Sequence, residues 1–198
     1  MVFARLLPGA AFAAAVALAS PAAFAHIGNH ADGFTHGFTH PFGGLDHLLA
    51  MVAVGLWALQ QGGRARYALP LTFMASMALG FSLDLGGFGL GLGGIDLPYT
   101  ETGIALSVLA LGLAIALSLK PGLGLALPVT ALFALCHGYA HGAEMPEGAA
   151  VLLYGAGMLL GTGLLHGAGL LAARYARLPL LRAAGAATAA AGLALLVI

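Results

Sequence analysis

Two short clusters of histidine and acidic residues are the most chemically distinctive feature of this chain. Together they contain four imidazole side chains and two carboxylates, at His40, Asp46, His47, His137, His141 and Glu144. Neutral imidazole combined with carboxylate suits a borderline divalent metal ion such as nickel, cobalt or zinc. Magnesium and calcium prefer shells built only of oxygen. The two clusters therefore predict a metal-binding site.

The first cluster predicts the start of a helix. Pro41 suits the first helical position, so we expect a transmembrane helix to begin there. His40 and His47 are seven residues apart, which is two helical turns, so we expect them along one face with Asp46 beside them.

The second cluster has the spacing of a single helix face. His137 and His141 are four residues apart, and Glu144 continues the same face near the end of an apolar stretch. A metal ion bound there would meet ligands from one helix terminus.

The composition excludes several classes of protein. Of the 198 residues, 61% are hydrophobic and 7% are charged, whereas soluble domains carry roughly 25% charged residues. A soluble fold is therefore not expected. Seven Lys and Arg residues balance seven Asp and Glu residues, so there is no basic surface for nucleic acid. The single cysteine, Cys136, excludes an intrachain disulfide and a cysteine-rich metal site.

The first 25 residues have the pattern of a secretory signal peptide. Arg5 gives a short positive region, an apolar run follows, and residues 23–25 form a small-x-small cleavage pattern. Cleavage would leave a mature chain that begins at His26 outside the cytoplasm. The alternative is an uncleaved first transmembrane helix, although the apolar run is short and contains Pro8 and Gly9.

Beyond this segment, six apolar stretches are long enough to cross a bilayer, which takes about 20 helical residues. They lie near 41–60, 68–89, 100–119, 123–142, 149–173 and 179–198. We therefore predict an all-α membrane protein, a polytopic bundle of six transmembrane helices after a cleaved signal peptide. Its parts are the signal peptide 1–25, an external His-rich segment 26–40, and a transmembrane domain 41–198.

The charged residues predict the orientation of these helices. With the mature N-terminus outside, all cations of the mature chain fall at cytoplasmic helix ends: Arg64, Arg66, Lys120, Arg174, Arg177 and Arg182. Five of the acids then fall on the outer side: Asp32, Asp96, Glu101, Glu144 and Glu147. We expect a multi-pass protein of the bacterial cytoplasmic (inner) membrane, in contact with lipid, with both metal-binding clusters on the outer side.

Six further residues are candidate accessory metal ligands: His26, His30, Asp32, His36, Asp84 and His166. Those within 26–40 lie in a segment that we expect to pack little core, and they either collect metal from dilute solution or form an incidental tail. Asp84 either supports the site or reaches headgroup water. His166, expected well away from the outer clusters, is either an exit relay or a packing residue.

Glycine is abundant, and two pairs on the fifth stretch have GxxxG spacing, at Gly157 and Gly161 and at Gly163 and Gly167. Small residues let helix backbones approach closely in lipid. We expect tight packing within one subunit or between subunits, which leaves a homo-oligomer open.

Both clusters carry a resemblance to a known family. The segment His40-Pro-Phe-Gly-Gly-Leu-Asp46-His47 resembles the signature H-P-x-x-G-x-D-H of the HupE/UreJ family of nickel and cobalt permeases. His137-Gly-Tyr-Ala-His141-Gly-Ala-Glu144 resembles its second signature, H-G-x-A-H-G-x-E. The resemblance implies uptake of Ni²⁺ or Co²⁺ as a transported ion, with no prosthetic group and no enzymatic activity. It also implies an indirect link to hydrogenase or urease maturation proteins.

Two other functions fit the same residues. One is a membrane metalloenzyme with a catalytic metal in the His and acid clusters, although the sequence lacks H-E-x-x-H and G-x-S-x-G. The other is a b-type haem protein for electron transfer, which needs two histidines on facing helices. The sequence also lacks a P-loop, so this chain is not expected to hydrolyse ATP.

Overall fold

The computed structural model describes residues 33–85 and 97–197, and the regular structure in these ranges is helical. Its helices are α1 (Gly33–Gly43), α2 (Leu45–Gln61), α3 (Ala65–Asp84), α4 (Thr100–Ala116), α5 (Leu123–Ala143), α6 (Val151–Tyr175) and α7 (Leu178–Leu195). The all-α prediction is confirmed. The predicted signal peptide and His26, His30 and Asp32 lie outside the described residues.

Three of these helices, α5, α6 and α7, are long and apolar enough to cross a membrane. The pair α1 and α2 adds a fourth crossing if the two are counted as one bent span, and α4 is a shorter apolar helix. Many large apolar side chains of these helices are exposed on the outside of the bundle, such as Leu125, Leu132 and Leu152. An apolar exterior of this kind is typical of a membrane protein, while the count of six spans remains a prediction.

The predicted helix start at Pro41 is wrong. Pro41 lies inside α1, and the chain bends by 82° at the break at Gly44, before α2 begins at Leu45. His40 and His47 therefore lie on two different helices and not two turns apart on one face. The bend turns the end of α1 toward the start of α2, which keeps the two rings near each other.

The segment before Pro41 packs more than the sequence analysis expected. Gly33, Gly37 and Pro41 are spaced by four residues and form the buried face of α1. A side chain at Gly37 would overlap the backbone of Tyr154 on α6, so α1 lies directly against α6. The tandem repeat GFTH-GFTH at 33–40 has the period of a helix, which explains why this segment is ordered as one.

Close backbone contacts at glycine hold the principal helix pairs together. Gly157 and Gly161 of α6 face the backbone of α1, Gly138 of α5 faces α3, and Gly112 of α4 faces α7. The pair Gly157 and Gly161 thus packs within the subunit, which is one of the two alternatives that the sequence predicted, the other being packing between subunits. A methyl group added at Gly167 would meet no atom of another helix within 4 Å in the described part of the chain. At these crossings the helices pack backbone against backbone, which small residues permit, and not by interdigitated side chains.

Helix α2 lies at the centre of the bundle and helps to place the functional ends. Most of its residues between Ala50 and Ala58 are buried, and it packs on α1, α3, α4, α6 and α7. Near its start, Asp46 shares a cavity with Glu101 of α4 and Leu195 of α7. Near its end, Trp57 donates to the Leu119 carbonyl beyond α4. The starts of α2 and α4 and the end of α7 therefore lie at one end of the bundle.

Candidate metal site

Four imidazole rings from both sequence clusters meet at this end of the bundle. The centroid of the His47 ring lies 4.8 Å from that of His137 and 4.7 Å from that of His141. The His40 ring lies 4.7 Å from His141 and 6.1 Å from His47. The rings of His137 and His141 are fully buried and that of His47 nearly so. The structure therefore brings together side chains from α1, α2 and α5 at one end of the bundle.

Asp46 fixes the orientation of the His47 ring. Its Oδ1 accepts a hydrogen bond from the His47 backbone N–H at 2.7 Å and lies 2.9 Å from Nδ1 of the same residue. Because an ionised carboxylate can only accept, Nδ1 of His47 carries a proton, and in the neutral ring Nε2 keeps a lone pair. That Nε2 is buried and has no hydrogen-bond partner in the described structure.

Ser107 of α4 fixes the orientation of His137 in the same manner. The Ser107 hydroxyl donates to the Ile104 carbonyl at 2.7 Å, so its oxygen accepts from Nε2 of His137 at 2.9 Å. The lone pair of His137 is then on Nδ1, which is buried and unpartnered within the described residues. Carboxylate, hydroxyl or carbonyl partners on the far nitrogen are what metal-binding histidines have in proteins.

Glu144 connects the two clusters across the site. Its Oε2 lies 2.7 Å from Nε2 of His40, which links the end of α5 to α1. Both side chains are partly exposed, at 49% for Glu144 and 29% for His40. This pair therefore lies at the solvent side of the cluster, with His137 and His141 buried beneath it.

His141 contacts the rings of His40 and His47, and both of its nitrogens are buried and without a hydrogen bond in the described part of the chain. Leaving one buried polar group unpaired costs about 1–3 kcal/mol. Unpaired nitrogens on His47, His137 and His141 together are therefore an unusual feature of this end of the bundle. The rings stand edge to face, and within 33–85 and 97–197 no group of three or more His, Cys, Asp or Glu side chains is placed so that it could hold a metal ion. Binding an ion would require the rings to rotate.

Sequence comparison identifies the relatives of this chain. A model of the family described as HupE / UreJ protein matches residues 14–195. The chain belongs to the HupE/UreJ family. Protein HupE of Rhizobium leguminosarum bv. viciae is similar to it, with 47% identity over 142 residues that cover 71% of each chain. No solved structure matches the chain.

Both signature segments lie within the part that matches the HupE/UreJ family, and their histidines form the four-ring cluster described above. The accessory candidates are distributed differently. His36 is exposed on α1, and Asp84 lies beside Gly142 at the contact of α3 with α5. Neither has a described contact with the four rings.

His166 is closer to the cluster than the sequence analysis expected. The Phe73 ring lies 5.5 Å from His137 and 5.1 Å from His166, so one aromatic side chain contacts both histidines. The expectation that His166 lies well away from the outer cluster is therefore wrong. The close packing of α2 on α6 at Gly55 and Gly169 brings α6 inward at this depth.

Several residues near the four rings belong to no sequence motif and could not be recognised from residue spacing. Tyr154 is fully buried, its ring lies 6.3 Å from His40, and its hydroxyl has no partner in the described ranges. Asp46 and Glu101 line a cavity of about 290 Å³ that opens beside the cluster. Glu101 in the first turn of a helix could have suggested a nearby acid, whereas Ser107 and Tyr154 could not have been distinguished from packing residues.

Proposed function

We propose that this HupE/UreJ family member carries divalent nickel or cobalt ions across the cytoplasmic membrane into the cell. The transported ion would enter at the end of the bundle that holds His40, His47, His137 and His141. There the imidazoles would replace part of the hydration shell of the ion, and the nearby carboxylates would offset its charge. Nickel or cobalt is the cargo in this proposal, and no resident prosthetic group is needed.

The observation that carries the proposal is the set of buried imidazole nitrogens with free lone pairs. His47 and His137 each use one nitrogen for a fixed hydrogen bond and leave the other unpaired. A packing role would favour pairing both nitrogens, because unpaired buried groups are costly. Imidazole suits nickel, cobalt and zinc, and the family resemblance favours nickel or cobalt.

The proposed orientation of the bundle in the membrane, and with it the direction of transport, rests on the distribution of charge. Acidic Asp46, Glu101 and Glu144 lie near the cluster, whereas Arg182 binds the Ala116 carbonyl where α4 ends and α7 begins. Positive charge favours the cytoplasmic side. We therefore place the cluster and the mature N-terminus outside, with entry from the outer face.

The driving force would come from the ion gradient and the membrane potential. The potential contributes roughly 2.3 kcal/mol per charge for each 100 mV, which favours inward movement of a dication. Facilitated diffusion or another secondary mechanism accounts for transport without hydrolysis in this chain. The imported ion would supply nickel enzymes by way of hydrogenase or urease maturation proteins in the cytoplasm.

The two alternative functions predict different observations. A b-type haem would need space for a macrocycle between two axial imidazoles, and the centroids of His47 and His137 are 4.8 Å apart. That spacing disfavours the haem protein. A metalloenzyme would turn over a substrate when the purified protein is loaded with metal.

Uptake into proteoliposomes tests the proposal. Purified protein is reconstituted, and initial rates are measured for Ni²⁺, Co²⁺ and Zn²⁺ with an inward gradient and an inside-negative potential. We expect saturable Ni²⁺ or Co²⁺ uptake above that of protein-free vesicles. Rates equal to protein-free vesicles for all three ions would reject the proposal.

A further inference from the structure

A second buried group of metal-binding atoms lies deeper in the bundle than the four-histidine cluster. It is formed by Met51 of α2, Met77 of α3, and Thr162 and His166 of α6. At most 2% of the surface of each of these residues is exposed. Three helices therefore contribute imidazole and thioether groups to one dry region.

Like His47 and His137, His166 uses one ring nitrogen for a hydrogen bond and leaves the other without a partner in the described structure. Its Nδ1 lies 2.7 Å from the backbone carbonyl oxygen of Met51. A carbonyl can only accept, so Nδ1 donates and Nε2 keeps its lone pair. That Nε2 is buried and unpaired in the described structure, which makes it available to a cation.

Thr162 brings the two thioethers together. Its hydroxyl oxygen lies 3.3 Å from the sulfur of Met51 and 3.7 Å from the sulfur of Met77. Thr162 is one helical turn before His166 on α6. Both sulfur atoms therefore lie within 3.7 Å of one hydroxyl oxygen, on the residue one turn from His166.

Phe73 separates this group from the outer cluster. It is fully buried, its ring contacts both His137 and His166, and Met77 follows it by one turn on α3. Both imidazoles that it contacts carry an unpaired nitrogen. A cation moving between them would have to pass the edge of a single aromatic ring.

The donor chemistry of the two groups differs. The outer cluster combines imidazole with carboxylate, whereas the inner donors are two neutral thioethers and one neutral imidazole. Thioethers favour soft cations and hold a borderline divalent ion weakly. Passage through a membrane requires sites that bind an ion well enough for entry and weakly enough for release.

We propose that His166, Met51 and Met77 form an inner cation-binding station, one aromatic ring deeper than the four-histidine cluster. It takes soft transition-metal cations tightly and borderline divalent ions transiently. The assignment of this station to an ion route rests on the proposed transport function. The existence of the site itself does not, and it is tested separately.

Binding is tested with Ag⁺, a soft cation that probes thioethers without a redox step. The full chain carries Cys136→Ser to remove the competing thiol, is labelled at the methionine methyl carbons, and is placed in nanodiscs for NMR. We expect the Met51 and Met77 resonances to shift together on addition of Ag⁺, and that of Met158 to stay in place. Met158 is the matched control, because it is equally buried and lies one turn before Thr162 on α6.

Substitution tests whether the three residues form one site. His166→Gln keeps a donor for the Met51 carbonyl but removes the imidazole, and we expect roughly 10- to 100-fold weaker Ag⁺ binding. Met77→Leu conserves volume and should remove the Ag⁺ response of Met51. Independent responses of Met51 and Met77, or none beyond that of Met158, would overturn the inner site.

Transport tests whether the site lies on the route. Met51→Leu and Met77→Leu should slow Ni²⁺ uptake roughly tenfold while leaving Ni²⁺ binding at the outer cluster unchanged, and Met158→Leu should alter neither. Normal uptake by both variants would overturn the role as a station even if Ag⁺ binds. Absence of wild-type uptake would instead reject the transport function, and the Ag⁺ experiment would still decide the inner site.

Discussion

The hydroxyl of Ser107 determines which nitrogen of His137 is free to bind a cation. Its own proton is donated to the Ile104 carbonyl, so it accepts from His137 Nε2 and leaves the lone pair on Nδ1. The Asp46 carboxylate does the same for His47. Fixed partners on the far nitrogen orient an imidazole and raise its strength as a metal ligand.

The first prediction concerns this hydrogen bond. Ser107→Ala removes the acceptor for His137 Nε2, so the ring can rotate and exchange tautomers. We expect nickel affinity, measured by equilibrium dialysis on purified protein, to fall roughly tenfold. Ser82→Ala is the matched control, because the Ser82 hydroxyl bonds only a carbonyl of its own helix among its described contacts. Equal affinities for both variants would remove Ser107 from the site.

The second prediction concerns the ligands and the negative charge at the entrance. His47→Ala and His137→Ala each remove an imidazole, and Asp46→Asn removes a charge that offsets the dication. We expect nickel uptake into proteoliposomes to fall by roughly 100-fold in each case, with normal membrane insertion. Glu147→Gln removes an exposed acid of the same loop region as Glu144 and should leave uptake unchanged. Normal rates for the three site variants would reject the assignment.

The presence of the histidines at one end of the bundle was predictable from sequence, because both clusters lie near the ends of helices. His137 and His141 share a face by helical spacing, and the alternation of apolar stretches brings the first cluster to the same end. The bend between α1 and α2 was missed because proline is favoured at the first position of a helix, whereas Pro41 lies inside α1, close to its end. The repeat at 33–40 was the available sign of an additional helix.

The deeper arrangement could not be predicted, because it depends on how helices cross. The rings of Phe73 and His166 contact each other. Residue spacing does not reveal this contact, because the two residues lie on helices that are far apart in sequence. Helix positions of this kind depend on close contacts at glycine, such as Gly163 of α6 beside Met74 of α3. Sequence patterns identify which faces are small but not which face each one meets.

The third prediction tests the docking of α1. In Gly37→Ala the added methyl group would overlap the Tyr154 backbone, so α1 must shift and carry His40 away from Glu144. We expect a loss of about 1–3 kcal/mol in stability, seen as a lower melting temperature in detergent, together with weaker nickel binding. Gly43→Ala on the same helix meets no atom within 4 Å and should change neither. Identical melting temperatures for the two variants would contradict the described contact.

The fourth prediction concerns the segment that precedes α1. A variant that lacks residues 26–32 has lost His26, His30 and Asp32 but keeps the helix that packs on α6. Capture residues raise local metal concentration, so we expect a higher half-saturation concentration for nickel uptake with an unchanged maximal rate. A lower maximal rate with unchanged half-saturation would contradict a capture role for these residues.

X-ray absorption at the nickel edge tests most directly that the free nitrogens of the four-ring cluster receive the cation. The purified chain is loaded with one equivalent of Ni²⁺, and the spectra of the wild type and of His137→Ala are compared. We expect the multiple-scattering signature of imidazole ligands in the wild type and fewer imidazoles in the variant. A wild-type spectrum with oxygen ligands alone, or one that His137→Ala leaves unchanged, would contradict the proposed site.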